Sequence, residues 1–139
     1  MKRILSLAFV LLLSLPLLAQ EQEKPKTPEQ KEREFYESID KQVERLAESL
    51  NLEDWQIFYV DSILTHNALR MKAEAAELEK NKVSSAEPYV YVHDRWMEEN
   101  DKALQKVFTP AQWDKYLKSG AGRARKARQK REEKRNKKN

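Results

Sequence analysis

Residues 52–80 read LEDWQIFYVDSILTHNALRMKAEAAELEK, and this run, with neither Gly nor Pro, decides the fold. Ala, Leu, Met, Glu and Lys dominate its second half, and they are the residues that lose least on entering a helix. Trp55, Phe58, Tyr59 and Ile63 recur at helical spacing, and so do Val60, Leu64, Met71, Ala75 and Leu78. The two stripes together cover more than one face, so the spacing predicts a helix that is wet on one side only. Asn51 is placed to cap it, with Glu53 and Asp54 at the positive end of the helix dipole. At 1.5 Å per residue the element is roughly 40 Å long, more than a small core covers, so the stretch from Ala73 to Lys82 is expected to project.

Upstream, Thr27 offers an N-cap, Pro28 suits the first helical position, and Gln30 stands where it can bond back to the cap. The helix they open carries Phe35, Ile39, Val43, Leu46 and Leu50 on one stripe and is expected to end near Ser49. Downstream, Asn81 to Pro88 breaks the helical pattern and reads as a turn. Tyr89 to Val92 alone would pass for a strand. Val92, Trp96, Ala103 and Val107 nevertheless continue at helical spacing with Met97, Leu104 and Phe108, so residues 87–107 read as helix. Thr109, Pro110 and Gln112 then repeat the start signal of Thr27, opening a short helix with Trp113, Tyr116 and Leu117 that meets Gly120. Short connections force antiparallel neighbours. The expected fold is all-α: a long antiparallel helical hairpin with a helix before it and a short one after it. Its apolar side chains outweigh the cost of ordering the helices only modestly, which favours a homodimer that hides more aromatic surface.

The two ends differ in character. Lys2 and Arg3 precede an apolar run from Ile4 to Leu18, and Ala19 precedes the polar Gln20 to Glu23. That order reads as a signal peptide over 1–20, cleaved near Ala19, because Pro16 interrupts a stretch shorter than the roughly twenty residues that span a membrane. Residues 21–26 read as a linker, 27–119 as the helical domain and 120–139 as a basic tail. Residues 21–119 hold 15 Lys and Arg against 21 Asp and Glu, whereas 120–139 hold 10 against 2, so the net +4 of the whole chain conceals an acidic body with a basic end. Without an apolar stripe, the tail with Arg123, Arg125, Lys126, Arg128, Lys130 and Arg131 is expected to be mobile, with nothing to hold it to the body. Its charge suits an anionic envelope surface. No aromatics interleave the basic residues, which argues against nucleic acid as a partner. There is no cysteine, so packing alone must hold the fold even in a compartment that permits disulfides.

Leu50-Asn51-Leu52-Glu53-Asp54-Trp55-Gln56 and Phe108-Thr109-Pro110-Ala111-Gln112 resemble the paired motifs of the LTxxQ-motif family of small periplasmic helical proteins, the Spy/CpxP-like chaperones and envelope-stress regulators. The second segment keeps Thr109 and Gln112 with Phe108 in place of Leu. The first keeps Leu52 and Gln56, with Glu53 where the family has Thr. The resemblance spans roughly residues 30–120. It implies a periplasmic, cradle-like, all-helical dimer that holds unfolded proteins without ATP or modulates an envelope-stress sensor.

Trp55, Phe58, Tyr59, Trp96, Met97 and Trp113 are the candidate contacts for such clients, set against the simpler reading that stripe aromatics belong to the core. His66 and His93 are the only histidines and lack metal-ligand spacing, so neither a metal nor a cofactor is expected. No nucleophile-base arrangement or phosphate loop stands out, which argues against an enzyme. Two functional readings follow: a holding chaperone or stress-linked binding protein that contacts unfolded or envelope proteins, and a structural adaptor of the envelope whose basic tail touches anionic surfaces.

Overall fold

The computed structural model describes residues 25–137. The expected signal peptide and most of the linker lie outside the described residues. Among them, every regular element is helical: α1 (Pro28–Leu50), α2 (Asp54–Lys80), α3 (Ala86–Val107), α4 (Pro110–Tyr116), a π-type turn over Leu117–Ala121, and α5 (Gly122–Asn136). The all-α class and the long α2–α3 hairpin agree with the sequence reading. No described helix is long and apolar enough to cross a membrane.

The caps explain where the helices begin. The Thr27 hydroxyl accepts from Gln30 N–H at 3.2 Å, and the Gln30 amide oxygen accepts from Thr27 N–H at 2.9 Å. Thr109 and Gln112 repeat this at α4 with 3.3 and 2.9 Å. Asn51 departs from its expected role. It closes α1 in the left-handed conformation (φ 49°), which Asn tolerates, and Leu52 N–H reaches back to the Ala47 carbonyl at 3.0 Å. Glu53 is the cap residue of α2 instead. The hairpin turn is shorter than 81–88, because Ser85 accepts from Glu87 N–H and starts α3 at Ala86.

Ile39, Val43 and Leu50 of α1 meet Val60 and Leu64 of α2 and Leu104 and Phe108 of α3 in one core, with Phe35, Leu46, Leu52, Trp113 and Tyr116 half-buried against it. Burying each of the larger of these residues stabilises by about 1.5–3 kcal/mol. Asn67 and Asn100 face each other inside the hairpin at 2.7 Å and mark its register. The distal half of α2 does not project alone as expected: α3 runs beside it, with Trp96 donating to Glu74 at 3.2 Å and Arg95 paired with the same carboxylate.

The largest correction concerns the basic tail. Its absence of an apolar stripe is real, yet residues 122–136 form α5, which folds back along α3. Gly120, at φ 110°, makes the reversal in a backbone region that side chains disfavour. Asp94, Glu98 and Asp101 form an acidic row on α3, and Arg125, Arg128, Arg131 and Arg135 of α5 pair with it. Ion pairs attach this segment where the sequence reading found nothing to attach it.

Candidate functional site

The outward face of α2 carries the feature that stands furthest from a bland helical surface. Gln56, Val60, Leu64 and Asn67 are the buried residues of this helix, and the 3.6-residue period turns Trp55, Phe58 and Tyr59 to the opposite side. They are 52%, 69% and 52% exposed, in a chain whose core takes no part of them. Tyr59 stands edge-on to both Trp55 and Phe58, with ring centroids 6.2 and 5.7 Å apart. The Trp55 indole N–H donates to Glu53 at 2.6 Å, which fixes one edge of the cluster. Glu53, Asp54 and Asp61 flank it, and no Lys or Arg occurs between Leu52 and Leu69. The result is an aromatic ridge in an acidic setting on a helix whose other side is locked into the core.

The other three candidates do not join this ridge. Trp96 is half-buried on α3, its indole N–H on Glu74 and its ring 5.4 Å from the Arg95 guanidinium. Met97 is half-buried near Gln42, Leu64 and Ala124, where α1, α2 and α5 converge. Trp113 stacks on Tyr116 at 5.3 Å at the edge of the core and lies under Arg125. Sequence spacing proposed six equivalent aromatic or thioether contacts. The structure exposes three adjacent ones and gives the others packing partners.

The motif residues occupy a second centre, beneath the ridge. Leu52 and Phe108 pack on the core as the residues just before the two caps. Gln56, 1% exposed, accepts from Glu53 N–H at 3.0 Å and donates to the Val107 carbonyl at 2.9 Å and to the Gln112 amide oxygen at 2.7 Å. Gln112 accepts from Thr109 N–H and donates to the Gln56 amide oxygen at 3.0 Å and to the Leu50 carbonyl at 3.4 Å. Each glutamine thus closes its own helix and bonds to the end of the helix that precedes the other's cap. This pairing is a clamp that fixes the base of the bundle, and it leaves no polar group of the two side chains facing a ligand.

The third feature is the α3–α5 seam. Asp94 is buried and receives two 2.7 Å bonds from Arg131, which hold its carboxyl below the usual carboxylate range, with Arg135 and His93 nearby adding to the effect. Burial pushes Asp101 the other way, although the Tyr116 hydroxyl donates to it at 2.8 Å and Arg128 pairs with it. Burial and the Asp101 carboxylate push the Tyr116 phenol up in turn. A groove of about 240 Å³ runs along the seam, lined by the same charged side chains and by Tyr91. Among the described residues no three His, Asp or Glu side chains converge as a metal set. Of the basic residues expected to act together, Arg125, Arg128 and Arg131 turn inward to these carboxylates, while Arg123, Lys126 and Lys130 stay exposed on the other side.

Sequence reasoning missed Asp94, Glu98, Asp101 and Arg135 as parts of this seam. The signal was present as two matching periods: acids at i, i+4 and i+7 on α3, and arginines at i, i+3, i+6 and i+10 on α5. The chain matches no protein-family model, no curated protein and no solved structure.

Proposed function

We propose that this protein is an exported, nucleotide-independent holding chaperone or stress-linked binding protein, which engages non-native chains through the Trp55–Phe58–Tyr59 ridge of α2. The observation that carries this reading is the exposure of three contiguous aromatic side chains on a helix anchored from behind. Contiguous apolar surface rimmed by charge marks a place for another chain. Aromatic rings suit weak, sequence-tolerant contact, because their large faces gain by burial without demanding one geometry. The acidic rim favours client segments in which apolar residues are flanked by Lys or Arg, as electrostatic complementarity selects partners more than it raises affinity. The periplasmic setting in this reading rests on the resemblance of the two capped segments to the LTxxQ-motif family and on the signal-like order of residues 1–20.

The test is light scattering from an unrelated denatured protein diluted into buffer without nucleotide. A several-fold excess of the purified protein slows the rise in scattering. An unchanged curve removes the holding activity for that class of client.

A second reading, an envelope adaptor, is favoured by the charge split between the acidic body and basic α5. An adaptor recovers one or two folded partners from envelope extract and loses them on deletion of residues 120–139. A holding protein recovers many partners and keeps them.

A further inference from the structure

The docking of α5 sorts its basic residues into two sets. Arg125, Arg128, Arg131 and Arg135 face α3 and are spoken for by its acidic row. Arg123, Lys126, Lys130, Lys134 and Lys137 are all exposed, and none of them has an ion pair or hydrogen bond among the described residues. At 100° per residue these five lie within about 80° of one another on the helix, and at 1.5 Å per residue they run about 21 Å along it. The residue types follow the division. Arginine, with its planar fork, holds buried carboxylates, whereas the outward row is four lysines and one arginine, compact point charges on flexible stems. Glu133 sits at the edge of the row and Glu132 toward the seam, so the row itself is a single-sign stripe.

We infer that this outward stripe is a docking surface for an anionic phospholipid bilayer, on which α5 lies flat with α3 behind it. The inference deepens the charge-split reading above and is independent of the aromatic ridge. A straight row on one side of a helix meets a plane with all five charges at once. The stripe holds no aromatic side chain to stack on a base. The amides that could read base edges, Gln129 and Asn136, lie off it. Ala127 is the only apolar side chain of α5 beside it, and Ala86 and Val90 of α3 border it only at Lys134, so contact is dominated by charge at the headgroups. Each basic residue near an anionic surface contributes about a factor of five in partitioning, and screening at a Debye length of about 10 Å in 0.1 M salt weakens it. In the folded chain the stripe and the ridge lie on different helices, the ridge on the side of α2 opposite its buried residues and the stripe on the side of α5 opposite its ion pairs with α3.

The experiment is co-sedimentation of the full-length chain with vesicles of phosphatidylglycerol and phosphatidylcholine in equal parts, against vesicles of phosphatidylcholine alone. The readout is the difference between the two, and because Lys2, Arg3 and residues 4–18 are common to the parent and every variant, the comparison among these proteins isolates the stripe. The parent protein prefers the anionic vesicles, and the preference disappears between about 0.05 and 0.5 M salt. Lys126→Gln, Lys130→Gln and Lys134→Gln together lower it about a hundredfold with helicity unchanged, and the same three positions as Arg retain it. Equal partitioning of the parent on both vesicles overturns the inference, as does a neutralised variant that binds like the parent. Capture by duplex DNA in preference to anionic vesicles at the same salt also overturns it, in favour of nucleic acid. Should the triple variant lose helicity, Lys130→Gln alone decides the matter: a several-fold loss of the preference is expected, and binding equal to the parent overturns the inference. Failure of the aggregation assay would leave this result untouched, since that assay reads α2.

Discussion

Gln56 and Gln112 do more than their neighbours suggest, because each side chain satisfies groups from three segments. Replacing Gln56 by Ala strands the Val107 carbonyl and the Glu53 N–H near the core and removes the partner of Gln112. An unsatisfied buried polar group costs about 1–3 kcal/mol, so the variant should lose about 3 kcal/mol of stability by denaturant unfolding. Gln112→Ala should cost less, since that side chain is only half-buried. The pair acts as a unit. The double variant should therefore fall short of the summed single effects by about 1 kcal/mol or more, which a double-mutant cycle measures. Strict additivity would mean that the two amides serve their own caps and nothing else. Glu53 is the weak member of this group: it lacks the short hydroxyl that makes Thr109 an efficient cap. Glu53→Thr should raise stability by about 0.5–1 kcal/mol while releasing the Trp55 indole.

Helix α5 is an element held by charge where the others are held by apolar packing, and its stability should respond to conditions that leave the core indifferent. Asp94 is the clearest handle. Its carboxyl sits below the ordinary range because Arg131 bonds it, so its contribution is present above the unfolded value of about 3.9 and is lost as pH falls through the folded value. Asp101, raised by burial, has the opposite sign: its contribution is present in acid and is lost as pH rises through its folded value. Release of the α5 C-terminal half should therefore follow Asp94 and begin only below about pH 4, seen as faster amide exchange over residues 129–136. Asp94→Asn should produce the same exchange at neutral pH. Gly120→Ala should loosen the whole helix by about 1–2 kcal/mol through its positive φ alone, since a Cβ there meets nothing within 4 Å. The starts of α1 and α4 were legible because Thr-Pro-x-Gln satisfies its own backbone within four residues. The role of Asn51 was not, since a residue between two helices can end one or begin the next, and tertiary burial of Leu50 decided for the ending. The docking of α5 was illegible for a related reason. Arginines read as a solvated run until a distant helix supplies carboxylates at the matching period.

At the scale of the molecule, α3 is the spine, with an aromatic acidic face beyond α2 and a cationic face beyond α5. Of the candidate site, the three exposed rings were legible as residues and illegible as a group: spacing put Trp55, Trp96 and Trp113 on equal footing, and only the order of packing separates a ring turned outward from one tucked behind Glu74 or under Arg125. This separation gives the sharpest test of what the ridge is for. If Trp55, Phe58 and Tyr59 were structural, replacing all three by Ser would unfold the chain. Because they stand outside the core, each replacement should shift stability by no more than about 0.5 kcal/mol, apart from the loss of their mutual edge contacts. Trp113→Ser, by contrast, opens the stacked pair with Tyr116 at the core edge and should cost about 3 kcal/mol. The triple variant should keep its helicity and unfolding midpoint yet no longer slow aggregation of a denatured client, whereas mild destabilisation without loss of the ridge should leave that activity in place. A triple variant that still suppresses aggregation as the parent does would move client contact off α2 altogether.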